Sequence, residues 1–254
     1  MKNLNMLLFS SGQTERNKSF YHYCKDWLQK YVDLNLRNKS KILYISWATW
    51  NDNDIDSMFK HGQDQWGQFG INLIPLHKEP DYMKAILESD AIIVGGGSIH
   101  MLVRDLELNS LMIPLKDKIN SGCIYIGTSA GAVITGPTMH TATEPPLIHI
   151  PSHKTLNIFP FQISPHYYDV ESDIYHSGPP PQVRIKNYLS LNPDSKPVVC
   201  IKDGTFLELK NETLTVHGTN DVAVFDKRLK KHLFSPGSDL SALLSYRSKY
   251  YKTK

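Results

Sequence analysis

The sequence predicts an α/β protein built on a doubly wound, mainly parallel sheet, with a β-rich C-terminal part. Three observations carry that expectation. Short apolar runs alternate with amphipathic stretches through the first 135 residues, the order expected when helices cover a parallel sheet. The glycines sit at the ends of those runs, in "VGGGSIH" and "IGTSAGA". After the prolines of "TEPPLIHIPSHK" and "SGPPPQ", the stretch "VVCIKDGTFLELKNETLTVHGTNDVAVFD" alternates like short antiparallel strands joined by Asp-Gly, Asn-Glu and Gly-Thr-Asn turns.

Taken in order, Met6–Ser10, Lys41–Trp47, Ile71–Leu76, Ala91–Gly97 and Cys123–Gly127 are the expected strands. Thr14–Tyr31, Asp54–Phe69, Asp81–Glu88 and Leu111–Ser121 have helical spacing with plausible caps, such as Asp54 before the second and Gly70 after it. The C-terminal strands are expected to extend the same sheet. With no linker, internal repeat or low-complexity tract, residues 1–254 are expected to form one domain.

Composition narrows the function. A hydrophobic fraction of 41% with 21% charged residues is that of a soluble globular chain, and no apolar run approaches the ~20 residues that cross a bilayer. The N-terminal "MKNLNMLLFSSG" holds too short an apolar stretch for a secretory signal, so a cytoplasmic protein is expected. Its 28 basic and 25 acidic residues give a net charge of +3, and the one basic cluster, "DKRLKKH", suits a solvated surface segment better than a nucleic-acid site. Cys24, Cys123 and Cys200 match neither a disulfide framework nor a metal-ligand spacing, and His149 and His153 are interrupted by Pro151.

Ligands of an open parallel sheet bind beyond the carboxyl ends of its strands, which directs attention to two loops. In "VGGGSIH" three glycines leave backbone N–H groups uncovered. In "CIYIGTSAGAVITG", Gly127 and Gly131 flank Ser129 between a strand and a helix start, the pattern of a nucleophile elbow. A serine hydroxyl needs a base and a carboxylate that orients it. His166 in "FPFQISPHYYDVESD" follows an apolar run and a proline and is the favoured base; His176 lies in a Pro-rich loop. Asp203 ends "VVCIKDG", with Asp169 and Glu171 as rivals; Asp203-Gly204 is equally a two-residue hairpin signal.

At these residues the sequence resembles peptidase family S51, most closely its dipeptidase E (α-aspartyl dipeptidase) branch. The resemblance spans "NMLLFSSG" to "HGTNDVAVF" and rests on "IIVGGGSIHML", "CIYIGTSAGAVITGPTM", "LNIFPFQISPHYYD" and "VVCIKDGTFLEL". It implies a class I glutamine amidotransferase-like sheet and a serine peptidase acting on short peptides through an acyl-enzyme, without cofactor or metal. A monomer or homodimer is expected, and composition and charge speak against a nucleic-acid or membrane partner. Ser129 matches the nucleophile, His166 the base, and Asp203 a position where that branch usually has glutamate. Gly97 and Ala130 match the two backbone donors of the oxyanion hole.

Besides the shorter Asp203, which must reach His166 where glutamate usually does, two departures stand out. Ser98 stands where the family has asparagine after three glycines. Pro181 stands where the aspartyl-specific enzymes have a carboxylate-binding arginine. Ser98 and Arg184 are therefore the candidate substrate-binding residues, and no strict demand for an N-terminal aspartate is expected. A cyanophycinase-like hydrolase, favoured by an acid-lined cleft, and an inactive amidotransferase-like binding module are the alternatives.

Overall fold

A computed structural model describes residues 4–15, 18–50, 54–170, 179–192 and 194–245. Along the chain, β1 (Asn5–Phe9) is followed by α1 (Lys25–Asn35), β2 (Ile42–Ile45), α2 (Ile55–Gly67), β3 (Ile74–Pro75), α3 (Tyr82–Glu88) and β4 (Ala91–Val94). Then come α4 (Ile99–Leu108), α5 (Met112–Asn120), β5 (Ile124–Thr128) and a one-turn α6 (Ala130–Val133). The remainder comprises β6 (Gln162–Ser164), α7 (Pro181–Leu191), β7 (Val198–Cys200), β8 (Thr205–Lys210), β9 (Thr213–Gly218), β10 (Val222–Phe225) and β11 (Lys231–Phe234).

A seven-stranded sheet has the order β3-β2-β4-β5-β1-β8-β9, parallel from β3 to β1 and antiparallel from β1 to β9. Its central parallel strands β1, β2, β4 and β5 are nearly continuous apolar runs because both faces are covered. In β1, Met6 and Leu8 join a core with Leu102 and Leu106 of α4 and Leu115 of α5, while Leu7 and Phe9 join Leu28 of α1 and Trp66 of α2. The alternation is the period of two of an extended chain.

The C-terminal strands correct the expectation of one extended sheet. Only β8 and β9 join it; β6, β7, β10 and β11 form a second sheet of order β11-β10-β7-β6. Val199 of β7 and Val224 of β10 face the large core, whereas Val198, Cys200 and Phe225 pack under Ile185 and Leu189 of α7. The Asp203-Gly204 and Gly218–Asn220 segments are thus crossings between sheets rather than hairpin turns. The Asn211-Glu212 turn is a hairpin, with φ of 51° and 66° at its two residues, as a tight β8–β9 connection demands.

Two boundaries also differ from expectation. The first helix begins at Lys25 rather than Thr14 because Tyr21 takes a left-handed φ of 55°, which ends helical continuity there. The third strand shrinks to Ile74–Pro75, an edge strand whose proline lacks a ladder donor. Helix α7 starts at Pro181 itself, since proline at the first helical position loses no intrahelical bond.

Candidate active site

Strand β5 runs directly into Ser129, where the backbone turns sharply at φ 52° and ψ −109° into α6. Such a conformation costs a non-glycine residue about 1–3 kcal/mol and persists only where its surroundings enforce it. The neighbouring glycines make that possible. A Cβ on Gly127 would lie 2.2 Å from the carbonyl oxygen of Gly131, and one on Gly131 would lie 2.4 Å from that of Val94. The Ser129 N–H donates to the carbonyl of Phe9 at 3.0 Å, which anchors the turn to β1.

The side chains expected to meet Ser129 do so. Its Oγ lies 2.8 Å from Nε2 of His166, whose Nδ1 lies 2.9 Å from Oδ1 of Asp203. His166 follows the end of β6 and is held at φ 55°, and Asp203 follows β7, so one member comes from the seven-stranded sheet and two from the second. Burial pushes the Asp203 carboxyl up, but the hydrogen bond and charge at His166 and the Ser10 hydroxyl outweigh it and hold the group below its ordinary value. An ionised Asp203 makes Nδ1 the donor and leaves Nε2 free to accept the Ser129 proton.

Asp169, the rival carboxylate, is occupied elsewhere. It accepts from Tyr167 Oη at 2.9 Å and pairs with Lys202 at 2.9 Å and with Lys231. Glu171 and His176 lie outside the described residues. Among the described residues, neither His149 nor His153 lines the cavity over Ser129.

That cavity holds about 340 Å³ and is bounded by Ser129, His166, Gly97, Ala130, Trp50 and Glu144, among others. Gly97, at φ 128°, packs so closely that a Cβ would stand 2.1 Å from the carbonyl oxygen of Ala48. Gly96 passes beside Ser129, with room for a Cβ only 3.1 Å from that of the serine. Among the described residues, no acceptor bonds the N–H groups of Gly97 or Ala130. Both are therefore available for a developing oxyanion.

The two candidate substrate-binding residues are placed differently. Ser98 is fully buried as the N-cap of α4, accepting from the Met101 N–H and donating to Glu144 Oε1 at 3.2 Å, and it does not line the cavity. Arg184 lines a second, smaller cavity with Pro181 and Tyr188; Thr141, Ala142 and Thr143 border both.

Two residues near the site had no sequence argument. Glu144 lines the main cavity, with Oε1 accepting from Ser98 Oγ, the His100 N–H and His100 Nδ1, the last at 2.8 Å. It lies in "TEPP", where no spacing marks it. Ser10 directly follows β1 and bonds both His166 and Asp203. Its place at the carboxyl end of a central strand is the signal that could have found it.

Comparison with known proteins places the chain among peptidases. The model of peptidase family S51 matches residues 6–217. Peptidase E of Streptomyces coelicolor is 27% identical over 247 residues, 97% of this chain and 98% of that protein. Peptidase E of Shewanella putrefaciens is 32% identical over 177 residues, 70% of this chain and 74% of that protein. The crystal structure of a peptidase from an acI-B1 Actinobacterium superposes with a TM-score of 0.65 at 18% identity, covering 94% of this chain and 97% of that one.

Proposed function

The chain belongs to peptidase family S51, and from that premise we propose that it hydrolyses short peptides through an acyl-enzyme on Ser129. The observation that carries the assignment is the continuous Ser129–His166–Asp203 hydrogen-bond chain, 2.8 and 2.9 Å, opening on a cavity. His166 Nε2 takes the hydroxyl proton as Oγ attacks the scissile carbonyl, and Asp203 holds the imidazolium that forms. The N–H groups of Gly97 and Ala130 receive the oxyanion. The protonated His166 then gives its proton to the leaving amine, and with a water molecule it reverses these roles to release the acid.

The cavity also favours a substrate end. Among the described residues, Glu144 is the acidic group in its lining, with Oε1 saturated by three donors and Oε2 left for a further one. A free α-ammonium group beside the scissile bond suits that carboxylate, which supports a dipeptidase or N-terminal exopeptidase. Among the described residues no arginine or lysine lines this cavity, so an aspartyl side chain would lack there the charge-assisted partner that strict selection needs. A polymer hydrolase expected to have an acid-lined cleft finds less support in a single carboxylate among the described lining residues, and the intact hydrogen-bond chain weighs against an inactive binding module.

The test is a set of kcat/KM values on Ala-Leu, Leu-Leu, Asp-Leu and N-acetyl-Ala-Leu. Asp-Leu is expected within about a hundredfold of Ala-Leu, and acetylation is expected to cost at least about tenfold. A larger preference for Asp-Leu means that another cation selects aspartate. Indifference to acetylation removes the role given to Glu144.

A further inference from the structure

Ser10 stands at the seam between the two sheets. Strand β1 lies between β5, which delivers Ser129, and β8, which follows Asp203. The last two residues of this path hold all three members of the hydrogen-bond chain. The Phe9 carbonyl accepts from the Ser129 N–H at 3.0 Å. The hydroxyl of Ser10, fully buried, accepts from the His166 N–H at 2.8 Å and lies 2.8 Å from Asp203 Oδ1 and 2.9 Å from the carbonyl oxygen of Ile201.

A hydroxyl has one proton, and it can serve only one of those two acceptors at a time. The bond to an ionised carboxylate is the stronger, so Asp203 receives it. Oδ1 of Asp203 then accepts from both Ser10 Oγ and His166 Nδ1. The lone pairs of the same hydroxyl hold the His166 backbone at its left-handed φ of 55°. Both the direction of the carboxylate and the position of the imidazole therefore depend on one oxygen.

We propose that Ser10 is the positioning residue of this site, fixing His166 through its backbone and Asp203 through its carboxylate so that Nε2 meets Ser129. The inference rests on the peptidase reading given above. Removing the hydroxyl leaves the His166 N–H without its acceptor and Asp203 with one donor fewer. A less compensated carboxylate holds the imidazolium more tightly, so the base stays protonated to higher pH. Among the described residues, the other ionisable groups around the pair are Glu144 in the cavity, Asp169 with its partners Lys202 and Lys231, and Tyr23, whose hydroxyl donates to the Ser11 carbonyl. A substitution at Ser10 leaves all of them in place.

The experiment compares wild type, Ser10→Ala and Ser10→Thr by the acylation rate per fluorophosphonate-titrated site and by the pH profile of kcat/KM on Ala-Leu. Ser10→Ala is expected to acylate at least about tenfold more slowly, with KM within about threefold and the acid limb displaced to higher pH. Ser10→Thr, which keeps the hydroxyl, is expected to recover most of the rate. An unchanged per-site rate and acid limb in Ser10→Ala overturn the proposal, even where thermal stability falls. If Ser10→Ala does not fold, Ser10→Cys, with a weaker donor, is judged by the same criteria. A wild-type protein that takes no label at Ser129 overturns the peptidase reading itself; a labelled wild type with an indifferent Ser10 variant overturns only the role of Ser10.

Discussion

Ser129 and His166 both occupy left-handed backbone conformations, at φ 52° and 55°, which neither residue favours. Each is held by a backbone N–H bonded to the end of β1, so their strain is offset by anchorage rather than relieved. Asp169 anchors the same loop in another way, through Tyr167, Lys202 and Lys231. Burial raises its carboxyl, but those partners prevail and bring it to about 2. Because the folded value lies below the unfolded value of about 3.9, the stabilisation is complete above that pH and is lost as pH falls toward 2. Urea midpoints of wild type and Asp169→Asn are therefore expected to differ at pH 5 and to converge near pH 2. A difference that stays constant across that range contradicts the ion-pair account.

At the level of elements, the elbow requires three backbones to pass closer than side chains allow. Gly127→Ala sets a methyl against the Gly131 carbonyl oxygen at 2.2 Å. It is expected to cost about 3 kcal/mol, a fall in melting temperature of about 6–12 °C by thermal denaturation. An unchanged melting temperature would mean that the turn relaxes and is not tightly constrained. This element was legible in the sequence because glycine spacing and strand periodicity are local. The late start of α1 was not, since it depends on Tyr21 packing against Phe9 and Trp66, which are distant in sequence. Ser98 misled for the opposite reason: a residue after three glycines at a strand end serves a helix cap as readily as a ligand, and its neighbours decide which.

Across the whole molecule, two sheets meet at β1 and the hydrogen-bond chain bridges them. The parallel half was legible from alternating runs, whereas the division of the C-terminal strands was not. Strands in either sheet show the same alternation, and only pairing partners such as Val199 with Val224 distinguish them. The same limit hid Ser10 and Glu144, whose meaning comes from residues more than 40 positions away. The described helices include none long and apolar enough to cross a membrane.

The most direct test is the site of covalent modification. After treatment with a fluorophosphonate, peptide mapping by mass spectrometry should find one adduct, on Ser129 within the Cys123–Gly136 stretch. Ser129→Ala should take no label and lose hydrolysis by several orders of magnitude, about 10³-fold or more, while keeping its fold. Label on a different residue, or an alanine variant that hydrolyses Ala-Leu at the wild-type rate, would contradict the account.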